Sequence, residues 1–374
     1  MWDAGSLDRT HQFEHDHLVM KTRLRLWKWT RKCSKVFCLF LHLIFNKIRK
    51  FRFLLFVGLL LVIALVWTFC WLGLSDFLFQ DAFVTFNYTN VDVQVAVANE
   101  LQGHSPLLKS YVNDMENLRL HSGHLRCDND NNTLMIVIKS APDRELRREA
   151  YRVAFSKINL IRRPWTVELF FVSGHYDNNI DELVRENDKH KDMIIGDFYD
   201  NYYNNTYKLM YTMKSAIEYC GSNVPFVISM DDDYVINLDN IVDYIQNATQ
   251  TNDRLYSGWR MYGTPFRFRY NKFYISLSEY PYDIFPPFIS GGLVFMSPQT
   301  VKEFYISMKY CKKLKFDDVY LGVLAHLLDI HPLHVPSAMV RRNMRAKRLD
   351  FTQKLGEHGY TASEIEKYIP LVNA

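Results

Sequence analysis

A single uncharged apolar run constrains this chain more than any other feature of its sequence. Residues 53–74 (FLLFVGLLLVIALVWTFCWLGL) carry no charged side chain, whereas residues 17–52 contain eleven Lys or Arg and no Asp or Glu. At about 1.5 Å per residue, a helix of this length crosses the ~30 Å hydrocarbon core of a bilayer. We therefore predict one transmembrane helix at 53–74.

The basic flank predicts how this helix is oriented in the membrane. Four Lys or Arg lie within 47–52, and none follows the apolar run before Lys109. Because positive charge stays on the cytosolic side, we expect a cytosolic N-terminus and a lumenal C-terminal part. A cleaved signal peptide is the alternative, but its leader and apolar core are shorter than those found here. The apolar segment 36–45 is too short to span a bilayer and is interpreted as juxtamembrane.

Charge and composition divide the chain further. We expect a cytosolic basic tail (1–52), a signal-anchor helix (53–74), a lumenal stem (75–130) and a globular lumenal domain (131–374). Beyond the tail, 33 basic residues stand against 37 acidic ones, so we predict no binding to nucleic acid. A content of 48% apolar and 23% charged residues is that of a globular protein and excludes wholesale disorder.

Two further patterns agree with a lumenal domain. Four N-x-T glycosylation sequons follow the apolar run, at Asn87, Asn131, Asn204 and Asn247. Three cysteines lie in the same part of the chain: Cys127, Cys220 and Cys311. The lumen permits disulfides, but three cysteines allow one bridge at most, and the sequence leaves its pairing open.

Short apolar runs alternate with segments of helical length in the lumenal domain. Strands are predicted at 133–140, 166–173, 193–196 and 225–230, and helices at 144–157, 181–190, 205–220 and 238–248. This alternation predicts an α/β fold in which a mainly parallel sheet has helices on both faces. Such sheets bind ligands at the carboxyl ends of their strands.

Three consecutive carboxylates follow one of these strands. Asp231, Asp232 and Asp233 lie between the apolar runs PFVISM and YVI. A solvated turn is the alternative, but three carboxylates at the end of a buried strand repel one another unless a cation lies among them. Oxygen ligands suit Mg²⁺ or Mn²⁺ better than Zn²⁺.

A second acidic pair, Asp317 and Asp318, opens an apolar helical segment. A helix N-terminus favours ionised carboxylates, so a capping role for Asp317 is the alternative to a site. Between the two acidic clusters lies a segment of aromatic, Pro and Gly residues, with Tyr280, Pro287, Gly291 and Gly292. Aromatic faces beside polar groups hold sugars, although a packed turn explains the composition equally well.

The ordered series IVIKSAPDRELRREAYRVAF, GDFYDNYYNNTYKLMYTMKSAIEYC, FVISMDDDYVIN, YPYDIFPPFISGGLVFMS and FDDVYLGVLAHLLDI resembles the motifs of the β1,3-glycosyltransferase family. The resemblance covers about residues 133–335 and is nearest to the brainiac branch. It implies a GT-A-like fold, a UDP-sugar donor (GlcNAc or Gal), Mn²⁺ (Mg²⁺ possible), inversion at the anomeric carbon and a Golgi enzyme that extends glycans on lipid or protein.

The resemblance also implies roles for individual residues. Asp318 matches the catalytic base, and Asp233 and His334 match metal-binding positions. The remaining matches are to nucleotide-sugar binding and comprise Asp231, Asp232, Arg148 and Arg152. The chain departs from the family pattern at Ala154 and Phe155, at Asp317, and at Leu324 and Val335, where cysteines are common.

These groups define an expected mechanism and its alternatives. Asp318 takes a proton from the acceptor hydroxyl as that oxygen attacks the donor, while a divalent cation neutralises the UDP leaving group. A membrane receptor or adhesion module explains the anchor and the sequons but not the acidic clusters. A metal-dependent phosphohydrolase explains clustered Asp residues, and only formation of a glycan product distinguishes it from a transferase.

Overall fold

The computed structural model describes residues 8–108, 111–122, 132–177, 179–218, 223–341 and 350–374. Within these residues the chain forms two compact units, 1–75 and 76–374. The first is the helix α1 (Asp8–Trp71). It contains one stretch, Trp29–Trp71, that is long and apolar enough to cross a membrane.

The second unit alternates strands and helices. Its helices are α2 (Val93–Leu101), α3 (Glu145–Ser156), α4 (Ile180–His190), α5 (Asn205–Glu218), α6 (Leu238–Thr249), α7 (Pro298–Tyr310), α8 (Asp317–Leu327) and α9 (Ala362–Val372). Its strands are β1 (Leu120–Ser122), β2 (Asn132–Lys139), β3 (Ile161–Arg162), β4 (Trp165–His175), β5 (Met193–Tyr199), β6 (Phe226–Asp231), β7 (Tyr234–Ile236), β8 (Tyr256–Met261), β9 (Phe288–Met296), β10 (Leu333–His334), β11 (Val340–Arg341) and β12 (Gly356–His358).

A mixed sheet organises this unit. Over the described residues its strand order is β1-β5-β4-β2-β6-β9-β8-β10, with β3 beside β4. Strand β2 is parallel to both β4 and β6, and β4 is parallel to β5, whereas β9 runs antiparallel to β6 and β8. The predicted α/β class with a mainly parallel central sheet is therefore confirmed. A small sheet, β11-β12-β7, lies next to the end of β6.

The central strand β2 shows why the sheet carries helices on both faces. Met135 and Val137 belong to one apolar cluster, and Leu134, Ile136 and Ile138 belong to another. Successive side chains of a strand point to opposite faces, so an uninterrupted apolar run requires cover on both sides. Helices α2, α5, α7 and α8 contribute to the first cluster, and α3, α6 and α9 to the second.

The segment expected to be a stem is, in its described residues, packed against this unit. Val93, Ala96 and Val97 of α2 are buried in the first core cluster. Asn113 donates hydrogen bonds to the carbonyls of Met308 (2.7 Å) and Cys311 (2.6 Å). The described residues of 76–118 thus contribute to the core of the domain rather than only spacing it from the apolar helix.

Candidate active site

A buried lysine joins the two acidic clusters. Lys139 ends β2 and pairs in register with Asp231, which ends the parallel strand β6. Its Nζ lies 3.0 Å from Oδ1 of Asp231 and 2.8 Å from Oδ2 of Asp317, and it donates to the carbonyl of Gly291 at 2.9 Å. The side chain of Lys139 is only 6% exposed. One ammonium group therefore holds both clusters at the carboxyl edge of the sheet, where ligands are expected.

Burial and charge set the protonation of this group. Burial alone lowers the pKa of Lys139, but the adjacent Asp231 and Asp317 carboxylates more than offset it, so the pKa lies above its ordinary value. For Asp317, burial raises the pKa, and the Lys139 ammonium outweighs that effect and lowers it. Lys139 is therefore protonated and Asp317 ionised at neutral pH.

The pKa of Asp318 is shifted in the opposite direction from that of Asp317. Burial, followed by the charge of Asp317, raises the pKa of Asp318 to about 7. Its Oδ1 accepts a hydrogen bond from the backbone N–H of Val319 at 2.8 Å. The N-cap of α8 is Phe316, so Asp317 does not occupy the capping position that the sequence left open. A carboxylate with a pKa near 7 is suited to general-base catalysis at neutral pH.

The three consecutive aspartates have different surroundings. The side chain of Asp231 is half exposed beside Lys139. Asp232 is buried, with Oδ1 2.5 Å from Nη1 of Arg144, while its Oδ2 and the hydroxyl of Tyr234 are buried without a hydrogen-bond partner. Burial and the charge of Asp231 raise the pKa of Asp233. Two buried oxygen atoms of this cluster therefore have no hydrogen-bond partner among the described residues.

The imidazole next to Asp233 belongs to His358. Strand β12 is antiparallel to β7 and places His358 opposite Tyr234, with their rings 5.5 Å apart. Proximity to His358 acts to lower the pKa of Asp233, against the larger effects of burial and of the Asp231 charge, which raise it.

His334 lies elsewhere on the sheet. It ends β10, which is separated from β6 by β9 and β8, or by roughly 14 Å at ordinary strand spacing. Its Nδ1 accepts from the N–H of Arg260 at 3.1 Å, and its ring packs on Trp259. The structure thus does not bring His334 to Asp233, and its metal-binding role stays a prediction.

Arg148 and Arg152 are engaged by acidic side chains of the protein. Arg148 is buried and donates from Nε and Nη2 to Glu186, at 2.8 and 2.7 Å. Arg152 donates to Glu186 and, through two nitrogens, to Asp192. These contacts fasten α3 to α4 and to the start of β5, so both guanidinium groups are occupied within the domain.

Two other arginines of the same segment lie at the acidic cluster. Arg144 pairs with the carboxylate of Asp232, and Arg147 donates to the carbonyls of Asp232 (2.7 Å) and Tyr360 (3.0 Å). Their side chains are 50% and 29% exposed, so they remain accessible to a ligand. The run RELRR shows in the sequence that this segment is basic. Only the structure shows that Arg144 and Arg147 are the arginines that contact Asp232.

The glycine pair allows close approach of β9 to the site. A Cβ on Gly291 would lie 3.1 Å from Nζ of Lys139, and one on Gly292 would lie 2.4 Å from the Tyr234 hydroxyl. Glycine is therefore required here by space rather than by backbone angle. Tyr280 is fully buried, and its hydroxyl donates to the carbonyl of Ile284, so its contribution is to hold the loop. The carbonyl of Pro287 contacts α8 at Gly322.

Aromatic side chains border the acidic groups on one side. Phe316, which directly precedes Asp317, lies 6.5 Å from the ring of Tyr202 and 6.2 Å from that of Phe273. Lys272 Nζ lies 4.1 Å from the centre of the Tyr202 ring. Burial and the charges of Asp318 and Asp317 raise the pKa of Tyr202 to about 12. Such exposed rings beside carboxylates suit the binding of a sugar face.

The predicted modification sites have different environments. Asn87 and Asn247 are exposed, while Asn204 is less exposed and donates from Nδ2 to the carbonyl of Tyr199 at 2.8 Å. Asn131 lies outside the described residues, as do Cys127 and Cys220. Cys311 is buried and free.

A protein-only metal site is not preformed. Among the residues that the structure describes, no three His, Cys, Asp or Glu side chains converge closely enough to hold a cation. Mg²⁺ and similar ions are commonly held by one or two carboxylates with substrate phosphates completing the shell. The carboxylates of Asp231 and Asp233 fit that arrangement, and His358 lies near Asp233.

Comparison with known proteins identifies the family. The galactosyltransferase family model matches residues 146–336, about half of the chain. The chain belongs to this family. The match contains both acidic clusters and the glycine pair, whereas Lys139 and His358 lie outside the matched galactosyltransferase residues.

Individual relatives agree with the family match. The beta-1,3-galactosyltransferase bre-5 of Caenorhabditis elegans is 30% identical over 64% of this chain and 74% of its own length. The human UDP-GalNAc:beta-1,3-N-acetylgalactosaminyltransferase 1 is 30% identical over 65% and 75%. Mouse xyloside xylosyltransferase 1, a solved structure, aligns with a TM-score of 0.33 at 12% identity, over 61% of this chain and 97% of that one. The family match and these two sequence relatives confirm the resemblance to β1,3-glycosyltransferases.

Proposed function

We propose that this protein is a Golgi type II membrane enzyme that transfers a hexose from a UDP-sugar to a glycan on lipid or protein, with inversion and a β1,3 linkage. The observation that carries the proposal is the pair at the start of α8. Asp317 is ionised against Lys139, whereas Asp318 has a pKa of about 7. Two adjacent carboxylates thus have separate tasks.

Asp318 is the base of the proposed reaction. The acceptor hydroxyl attacks C1 of the donor sugar, its proton passes to the Asp318 carboxylate, and the bond from C1 to the UDP oxygen breaks on the opposite face. A single displacement of this kind converts an α-linked donor into a β-linked product. Lys139 does not compete for the proton, because its own pKa is raised and it stays charged.

The acidic cluster and its neighbours would hold the donor. Asp231, Asp233 and His358 fit Mn²⁺, or Mg²⁺, which when bound supplies positive charge for the departing diphosphate. Arg144 and Arg147 lie beside the cluster with side chains that are half and about one-third exposed, which favours phosphate contact.

The relatives favour a galacto-configured donor. The two sequence relatives described above carry galactosyl- and N-acetylgalactosaminyltransferase names. We therefore place UDP-Gal and UDP-GalNAc before UDP-GlcNAc, the other donor that the sequence leaves open.

A donor panel tests the transferase proposal. The full-length protein in detergent is incubated with UDP-Gal, UDP-GalNAc or UDP-GlcNAc and with glycan acceptors of different terminal sugars, and product mass and anomeric configuration are measured. We expect a β1,3-linked product and loss of turnover in a chelator. Release of UDP without any extended glycan would instead support a phosphohydrolase.

Two histidine variants test the cation site. His358→Gln should lower the rate and raise the Mn²⁺ concentration needed for half activity, because it removes the imidazole next to Asp233. His334→Gln is the matched control and should retain the wild-type rate and the wild-type Mn²⁺ concentration for half activity. The opposite ranking would restore the role that the sequence predicted for His334.

The orientation of the protein in the membrane has its own test. Residues 76–374 should resist protease in sealed microsomes, and glycosidase should lower the mass of the protected product, because Asn87 and Asn247 are exposed sequons. Detergent should abolish protection. Digestion of the domain in intact microsomes would contradict a lumenal site.

A further inference from the structure

The segment between β8 and β9 presents an aromatic surface. Its exposed rings are Tyr262, Phe266, Phe268, Tyr270 and Phe273, with exposed fractions from 39% to 66%. Phe266 packs on Phe273 at 6.0 Å, and Phe268 on Tyr270 at 5.8 Å. We call these five residues the aromatic face. A contiguous patch of exposed apolar side chains on a folded domain commonly marks an interaction site.

The buried side chain of Arg267 holds the aromatic face in place. Arg267 is fully buried between the exposed Phe266 and Phe268. It donates to the carbonyls of Ile275 (2.9 Å), Tyr280 (2.8 Å) and Tyr282 (2.9 Å). A buried guanidinium requires such partners, and they in turn restrict the chain on both sides of it. The rings are therefore displayed by an anchored segment.

The charge of the segment indicates what the aromatic face binds. Between Tyr262 and Phe273 the chain has three basic residues and no acidic one, and the two acidic residues of the segment, Glu279 and Asp283, follow later. Arg269 and Lys272, which lie within the aromatic face, are exposed. Aromatic rings interspersed with Lys and Arg are the composition that proteins use at the headgroup level of a bilayer, where rings enter the interface and cations meet lipid phosphates.

The start of the second unit is attached to the same segment. Arg267 donates from Nε to the side-chain carbonyl of Gln80 at 3.0 Å, and the N–H of Asp81 donates to the carbonyl of Pro281 at 3.0 Å. Gln80 follows the last residue of α1, Trp71, by nine positions, a length of chain that spans at most about 30 Å. The neighbouring Phe77, Leu78 and Phe79 are also exposed, from 49% to 73%.

We propose that the aromatic face is a membrane-docking surface, which seats on the lipid headgroups of the bilayer that α1 anchors. Phe273 connects this surface to the catalytic groups through Phe316, the residue before Asp317. The consequence for catalysis, which rests on the proposed function, is that docking presents the site to acceptors carried on lipid.

Photolabelling tests the contact without reference to activity. The full-length protein is reconstituted in phosphatidylcholine vesicles that contain a phosphatidylcholine with a diazirine near its headgroup, and labelled peptides are mapped by mass spectrometry. We expect labels in 262–273 in addition to α1. The exposed Leu146 of α3 and Leu371 of α9 serve as internal controls, and their peptides should stay unlabelled. Labels confined to α1, or equal labelling at the controls, would overturn the proposal.

A pair of variants extends the test to acceptor choice. Phe268→Ser with Tyr270→Ser removes two rings, and Leu146→Ser with Leu371→Ser removes two exposed apolar side chains elsewhere. The first variant should lose most of the photolabel in 262–273. When the same glycan acceptor is offered either attached to lipid or as a free saccharide, the transfer rate of this variant should fall about tenfold on the lipid-linked acceptor only. Persistent labelling of that variant would overturn docking. If wild type is labelled but transfers no sugar, the docking proposal stands and the proposed function fails.

Discussion

Two adjacent aspartates at the start of α8 show how strongly one ion pair can separate the pKa values of chemically identical groups. Asp317 lies 2.8 Å from the Lys139 ammonium, and its pKa is lowered. Asp318 has a backbone N–H as its hydrogen-bond partner and feels the charge of Asp317, so its pKa is raised to about 7. Pairs of groups with separated pKa values are typical of catalytic sites.

The pKa of Asp318 predicts the pH dependence of transfer. Since the base must be ionised, kcat/KM should fall about tenfold per pH unit below about pH 7 and level off above it. Asp318→Asn should lower kcat by roughly 10² to 10⁴ and abolish that limb of the profile. Rates from pH 5 to 9 check both statements, and a rate within about threefold of wild type would contradict the base assignment.

The same substitution should affect stability in the opposite direction. A carboxyl whose pKa is higher in the folded than in the unfolded protein contributes stability at low pH and loses it as pH rises through the folded pKa. The variant Asp318→Asn should therefore be more stable than wild type above pH 7. Because Asp318 is partly exposed, solvent screening limits the expected gain to about 1–3 kcal/mol. Thermal unfolding at pH 5 and 8 measures the difference.

Lys139 should matter for both folding and turnover. Lys139→Met leaves Asp317 without its cation and should cost about 3–5 kcal/mol of stability, with loss of activity. Lys157→Met is the matched control, because Lys157 pairs with Glu366 and both side chains are nearly half exposed; it should cost about 0–1 kcal/mol. Equal effects of the two substitutions in denaturant titration would contradict a structural role for the buried pair.

At this scale the sequence predicted part of the site. Consecutive carboxylates after an apolar strand are visible as a pattern, so Asp231, Asp233 and Asp318 could be identified. Lys139 and His358 could not, because each is an isolated residue whose position beside an aspartate depends on strand register.

At the scale of elements, α8 is placed by a glycine. A Cβ on Gly322 would lie 2.5 Å from Cβ of Phe288 and 3.1 Å from the carbonyl oxygen of Pro287, so the helix packs directly on the backbone of β9. The backbone cannot move aside as a long side chain can, and the gain in helix propensity for alanine is only about 1 kcal/mol.

Gly322→Ala should therefore destabilise the domain by about 1–3 kcal/mol and lower the rate by shifting Asp318. Gly263→Ala is the control, because a Cβ there would meet only ordinary contacts at 3.8 Å; it should be close to neutral. Chemical denaturation and transfer rates compare the two. Wild-type rate and stability in Gly322→Ala would show that α8 is not held by this contact.

The regular elements were the most predictable part of the fold. Strands β2, β4, β5 and β6 and helices α3 to α6 lie within a few residues of their predicted positions, because apolar runs and helical segments alternate clearly there. Helix α7 was not predicted, since its burial on several sides removes the polar face that gives a helix its period. Helix α2 was hidden in a segment without sustained periodicity.

At the scale of the whole molecule, the described part of 76–122 behaves as a portion of the domain. The buried Lys214 donates to the carbonyls of Met115 (3.0 Å) and Glu116 (2.8 Å), and Lys309 lies 2.8 Å from Glu100. We predict that a fragment beginning at residue 131 aggregates or melts at lower temperature, whereas one beginning at 76 folds. Removal of α2 exposes the apolar surface that it covers. Equal melting temperatures would show that this segment is a dispensable spacer.

The ion pair between Lys139 and Asp317 also has a consequence for how the chain reaches its native state. Its two residues are 178 positions apart, and closing so long a loop early in folding loses chain entropy that local contacts do not repay. The candidate site therefore assembles late, after α8 has been synthesised. Until then, the ammonium of Lys139 and the carboxylates of 231–233 remain hydrated, and a nascent chain without α8 has no complete site.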